Sequence, residues 1–464
     1  MDDGKINKTF STFDKYGLKS FADKLTLYLQ VESKFVDESY VLSLNSEFGS
    51  GKSTFFEMWS NDLKTTNSIF QVVYINAWES DFQGDPLLAI NFNLLKSLNS
   101  NIKKEDIEPI KETTGKLCKF ASSLGNDFIQ NVTGLDIIKA LEHTKSQDGT
   151  AKPGNVCFQL YQEKHKLFEN LKKQLRELTT KCKSPVLIII DELDRCHPHY
   201  AIEFLETIKH IFDIRGIIFV IGVDKGQLAS SAKALFGQQL DFNEYYRKFA
   251  NRNVNLPVKN ERMTRKFCEK LIDEYLGEEA FAKKKRFSYA KHDSYRSDNI
   301  TDLCDTFSLN ARQIHEFFRI ISHVLSVTKK SDCYLLWGWQ VGTYFMVALS
   351  IKNFEKYLQI GTDSISLPEF TAFLKNLTLF NGDKHDGYWW ATLLYLGTFG
   401  NKELDKLEIE FQKLGVWNSS GSEEKDFQKQ MNYYYEEAFS GRRNNKIFSQ
   451  IYQMLEGLRT FERD

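Results

Sequence analysis

Two runs of residues decide most of what this chain can become. PVLIIID (185–191) and GIIFVIGVD (216–224) are apolar without alternation, rich in β-branched side chains, and end on an acid. A strand of this kind has no polar face to offer water, so both of its faces must be covered. YVLSL (40–44) and IFQVVYINAW (69–78) read as two further strands, and NRNVNLP (251–257) is a candidate fifth, stopped by Pro257. Segments with apolar residues at helical spacing separate them: GLKSFADKLTLYL (17–29), TFFEMWSNDL (54–63), AIEFLETIKHIF (201–212) and KGQLASSAKALFG (225–237). Strands that alternate with helices and are apolar on both faces specify an α/β fold, a parallel sheet flanked by helices. Residues 85–180 read as a helical insertion with a polar gap at 144–155, and beyond about residue 258 the pattern is helical to the C-terminus.

At 464 residues the chain is too long for one ordinary core, so two or three domains are expected. We divide it into 1–257, 258–328 and 329–464. A net charge of −1 supplies no field that would gather nucleic acid or a membrane surface. Seven cysteines (118, 157, 182, 196, 268, 304, 333) show no C-x-x-C pair, which predicts reduced thiols in a cytoplasmic compartment. The start, MDDGKINKTFSTFDKYG, lacks an apolar signal core, so secretion is not expected. LLWGWQVGTYFMVALSI (335–351) is borderline in length for a membrane span and is interrupted by glycines and polar residues. It reads as a helix buried among other helices, with no membrane span.

Chemistry concentrates after the first strand, in LNSEFGSGKST (44–54). A strand, a glycine-containing loop and a helix form the context in which successive backbone N–H groups cradle phosphates. Residues Ser46, Glu47, Phe48, Gly49, Ser50, Gly51, Lys52, Ser53 and Thr54 make up this candidate site. Gly49 and Gly51 allow close approach of the backbone, Lys52 would reach the β- and γ-phosphates, and the Ser53 hydroxyl would coordinate Mg²⁺. Ser46 stands where the G-x-x-x-x-G-K-[ST] pattern has its first glycine. If that position needs an unusual dihedral, the strain is about 1–3 kcal/mol. The second half of the site is LIIIDELDR (187–195). Asp191 at the strand end would hold Mg²⁺ through a water, and Glu192 would polarise the attacking water as general base.

Taken together, EFGSGKST, NAW (76–78), IIIDELDRC, GVDKGQLASSAKALFG, YYRKFANRNVNLP and LNARQIHEFFRII (309–321) resemble the KAP family of P-loop NTPases, in order, over about residues 10–325. The resemblance implies a P-loop NTPase domain with bound ATP and Mg²⁺, a helical lid at 258–328 and an all-α C-terminal domain. It implies a sensor role for Asp224, and a second sensor in Arg312 of the lid. Arg195 acts either within its own subunit or as a finger toward a neighbour; the bland alternative is a salt bridge to Asp194 or a helix. Many family members carry transmembrane helices between the two motifs. Here that stretch, with KKEDIEPIKETTGK, is too charged to span a bilayer, so a soluble variant is expected. Some members act in bacterial exclusion of phage, so a defence role follows by kinship alone.

Other signals are weaker. CHPH (196–199) is a loop leading into a helix rather than a metal site, because no second cluster completes it. KKKR (283–286) admits nucleic-acid contact but reads first as a solvated edge. Trp337, Trp339, Trp389, Trp390, Trp417 and NYYYEEAF (432–439) predict an aromatic helical core that can also serve a protein partner. The expected function is an ATP-hydrolysing molecular switch, self-associating, with a partner on the C-terminal helices. The alternatives are a nucleotide-stabilised scaffold with little turnover and a nucleic-acid-stimulated ATPase.

Overall fold

The computed structural model describes residues 8–65, 69–82, 84–98, 103–123, 153–182, 184–257, 261–276, 294–327, 337–380, 384–401, 404–417, 424–439 and 446–459. The chain divides into two compact units, Met1–Pro257 and Val258–Asp464.

The first unit is built on a five-stranded sheet in the order β2-β3-β4-β1-β5. The strands are β1 Tyr40–Asn45, β2 Gln71–Asn76, β3 Val186–Asp191, β4 Ile217–Val223 and β5 Arg252–Asn255. Every pairing is parallel. All residues of β3 and β4 are buried, which is the structural form of their unbroken apolar runs. Edge strand β5 is short and mostly exposed, as the sparse apolar content of NRNVN requires. Because β4 separates β1 from β3, the glycine loop and the acids of DELDR reach the same end of the sheet with one strand between them.

Helices cover both faces. Ile188, Ile190, Phe219 and Ile221 join Leu94, Ile110, Leu171, Phe204 and Leu205 in one apolar cluster. Between β2 and β3 lie helices Pro86–Leu98, Lys104–Ser123 and Pro153–Lys181, the helical segments expected there. The polar gap at 144–155 falls almost wholly outside the described residues.

The second unit is helical throughout its described residues. At its centre, Trp337–Lys352 packs against Ser294–Thr306, Ala311–Val327, Phe354–Gly361, Lys384–Phe399, Glu424–Phe439 and Ile447–Arg459. Val341 and Tyr344 to Leu349 are all buried, so the borderline apolar stretch is a core helix. Among the described residues no helix is long and apolar enough to cross a membrane. The aromatic residues mostly face one another: Trp337 stacks on Trp389 at 5.5 Å, and Trp390 is buried. KKKR (283–286) lies outside the described residues.

Candidate nucleotide site

The loop after β1 is shaped by two residues in the left-handed region, Gly49 at φ 79° and Gly51 at φ 97°. A Cβ at Gly51 would meet nothing within 4 Å, so its backbone conformation, not space, calls for glycine. Ser46 is not among the residues with positive φ, so the strain entertained for a missing first glycine does not arise. Its N–H extends the sheet ladder to Val223 O at 3.0 Å, and its hydroxyl donates to Ser50 Oγ at 2.5 Å, closing the loop on itself. Glu47 accepts the Ser50 N–H at 3.2 Å, while Phe48 is exposed at the rim.

Lys52 opens the helix Lys52–Thr65 and is 8% exposed. Its Nζ donates to Ser46 O at 3.2 Å and to Asp194 Oδ2 at 3.4 Å. Ser53 follows, and its side chain hydrogen-bonds the Asp191 carboxylate. Thr54 is half-buried on the next position of the helix.

Asp191 ends β3 with no exposed surface. Its Oδ2 accepts the Tyr74 hydroxyl at 2.9 Å and its Oδ1 accepts the Glu192 N–H at 2.9 Å. Burial pushes its pKa above the usual carboxylate value; the Ser53, Tyr74 and Glu192 hydrogen bonds and the Lys52 charge oppose that rise. A hydroxyl and a carboxylate meeting beneath a phosphate loop are hard oxygen donors of the kind Mg²⁺ takes, with the remaining ligands coming from waters and substrate phosphates. Among the described residues no group of three or more His, Cys, Asp or Glu could hold a metal, CHPH included.

Glu192 stands at φ 61°, a left-handed backbone that begins the turn Leu193–Arg195. This turn brings Arg195 back so that its guanidinium pairs with Glu192 Oε1 at 2.8 Å. Asn76 donates to Glu192 Oε2 at 3.3 Å from the end of β2, where it stands opposite Asp191 in register. Arg195 also lies over the rings of Phe48 at 4.6 Å and Trp78 at 5.8 Å. Its partner is therefore Glu192 of its own chain and not Asp194.

Asp224 follows β4. Its Oδ1 accepts Gly226 N–H at 3.0 Å and Gln227 N–H at 3.4 Å, capping Lys225–Phe236. Its Oδ2 accepts Phe48 N–H at 3.1 Å. Both oxygens are thus engaged by backbone donors, one set from its own helix and one from the loop. Arg312 belongs to the second unit, in the first turn of Ala311–Val327, on an exposed position. Asn310 and Gln313 cap that helix reciprocally at 2.9 and 3.0 Å.

Three residues gain a place that the sequence reading did not give them: Tyr74 on Asp191, Asn76 on Glu192, and Asp194 on Lys52. Asn76 stands in the NAW segment, and Asp194, offered in DELDR as a partner for Arg195, pairs with Lys52 instead.

A comparison with curated proteins found no match. Among solved structures, the Aeropyrum pernix ORC2 protein in its ADPNP–ADP complexes is 11% identical, with 99% of this chain and 97% of that chain covered at a TM-score of 0.34. The same protein in its ADP form is 12% identical, with 99% and 88% covered and a TM-score of 0.27. The family model of the KAP family P-loop domain matches residues 18–328. That stretch contains the glycine loop, Asp191, Glu192 and the five-stranded parallel sheet, and the chain belongs to the KAP family of P-loop NTPases.

Proposed function

We propose that the first unit binds ATP with Mg²⁺ and hydrolyses it, and that the chain works as a nucleotide-driven switch. The observation that carries this is the convergence of three elements at one end of the sheet: Lys52 and Ser53 on the loop helix, Asp191 at the end of β3, and Glu192 on the turn after it. Lys52 has three N–H donors and uses two, so one is left for a phosphate oxygen. Ser53 and Asp191 would hold the metal, which when bound neutralises charge on the terminal phosphates. Glu192 accepts the proton of the attacking water, and its basicity rises when the Arg195 guanidinium leaves it. Arg195, once released, is free to approach the transferred group or a neighbouring subunit's site.

We assign 258–328 as the lid and 329–464 as the transmitting domain, with Arg312 as the lid's contribution to sensing the γ-phosphate. Self-association and a part in antiphage defence belong to this proposal through kinship, a cytoplasmic location through the unpatterned cysteines, and a protein partner through the aromatic C-terminal helices. A second reading, a nucleotide-stabilised scaffold with little turnover, draws on the Glu192 clamp, because a general base held by a guanidinium and an amide is not poised for chemistry. Lys52→Ala tests the shared premise. It should abolish the rise in melting temperature that ATP and Mg²⁺ give the wild type. An unchanged rise would count against the site.

A further inference from the structure

Of the two groups that hold the Lys52 ammonium, only Ser46 belongs to the loop; the other is Asp194. Both charged side chains are nearly sealed from solvent, at 9% exposure for Lys52 and 4% for Asp194. The carboxylate cannot readily move aside, because the same Oδ2 also accepts the backbone N–H of Asp224 at 2.8 Å. Asp224 is in turn fixed to Phe48 N–H and to the first turn of Lys225–Phe236. Asp194 is thus a stationary negative charge beside the cation that a polyphosphate would use.

The neighbouring charges do not offset it. Arg195 is paired with Glu192, and Asp191 adds a further carboxylate beside Ser53. Lys52 and Arg195 stand among the carboxylates of Asp191, Glu192 and Asp194, with that of Asp224 on the Phe48 N–H of the loop. A free polyphosphate brings several more negative charges into this partly buried setting, where screening by salt is weak. A polyphosphate already complexed to a divalent cation brings fewer, and Ser53 with Asp191 can receive that cation.

We propose that Asp194 is a specificity-determining residue that makes the site accept the nucleotide as its divalent-metal complex and reject the free polyphosphate. Asp194 neutralises Lys52 in advance, so the lysine alone is not enough to draw phosphate in. Discrimination by an unfavourable charge against the wrong form is a general route to specificity. The proposal rests on the nucleotide reading given above.

The test is calorimetric titration of the full chain with ADP and with a non-hydrolysable ATP analogue, each in excess Mg²⁺ and again in EDTA. Asp194→Asn keeps an oxygen for the Asp224 N–H and removes the charge. Wild-type affinity should fall at least about a hundredfold on chelation, while Asp194→Asn should fall less than about tenfold. Equal wild-type affinity with and without Mg²⁺ would overturn the proposal, as would a wild-type ratio retained in Asp194→Asn. If the asparagine variant does not fold, Asp194→Thr, which also offers an oxygen acceptor, is read by the same criteria. Absence of wild-type binding with Mg²⁺ present would instead remove the nucleotide reading itself.

Discussion

Gly222 lies on β4, between the strand that feeds the glycine loop and the strand that ends in Asp191, opposite Leu44 in register. A methyl group on its Cα would fall 2.2 Å from Cε2 and 3.0 Å from Cζ of Phe56, and 3.3 Å from Asp191 Oδ1. The ring is hemmed in by other aromatic side chains. Phe56 is fully buried, with Phe55 at 5.9 Å and Trp59 at 6.5 Å between centroids. Gly222→Ala must therefore push the helix Lys52–Thr65 away from the sheet, at a cost of about 1–3 kcal/mol for overpacking of this kind. That helix begins with Lys52 and Ser53, so the displacement reaches the candidate site directly. Urea unfolding should show the midpoint falling with the slope unchanged, and calorimetry should show nucleotide affinity reduced at least about tenfold, equivalent to about 1.4 kcal/mol. Adding Phe56→Leu shortens the clashing ring and should restore part of both losses. Wild-type stability and affinity in Gly222→Ala would refute the packing argument. Lost stability with intact affinity would break the link from β4 to the loop.

Asp191→Asn should stabilise the nucleotide-free protein. The folded pKa of Asp191 is raised by burial, so its contribution is full below the ordinary carboxylate range and is lost as pH rises through the raised value. Above that window the asparagine variant should unfold at higher urea than the wild type, with the gap closing on the acid side, and it should lose stabilisation by nucleotide with Mg²⁺. A wild type that is the more stable at neutral pH would contradict the sign. Arg312→Ala should leave ADP affinity near wild type and weaken affinity for a non-hydrolysable ATP analogue about tenfold. Equal losses for both nucleotides by calorimetry would make Arg312 a structural residue of the Ala311–Val327 helix.

The sheet was legible because burial on both faces is written into composition: VLIII and IIFVI leave no polar side to misassign. The glycines of the loop were legible for the same local reason, since a positive φ is a property of one residue. Ile314, Phe317, Phe318 and Ile321 stand at helical spacing in LNARQIHEFFRII, and all four are buried. What sequence did not reveal is what depends on strand order and backbone direction. Tyr74 and Asn76 reach Asp191 and Glu192 because β2 lies beside β3 in register, a pairing no local pattern states. Arg195 reaches Glu192 because Glu192 adopts the left-handed conformation and the turn folds back over three residues. Asp224 accepts backbone donors from its own helix, a local cap, and from Phe48 of the glycine loop, which becomes a neighbour only when β1 and β4 pair. Ser46 illustrates the converse. A deviation from the motif that suggested strain costs no left-handed backbone, because the ladder to Val223 already fixes its direction.

The central claim is hydrolysis that uses Glu192, and phosphate release under multiple turnover tests it most directly. Wild type and Glu192→Gln are compared at saturating ATP and Mg²⁺, with ATP binding of each measured in parallel. The account predicts steady turnover by the wild type, bound ATP in both proteins, and a rate at least about a hundredfold lower for Glu192→Gln. Normal hydrolysis by Glu192→Gln, or no turnover by a wild type that binds ATP, would contradict it.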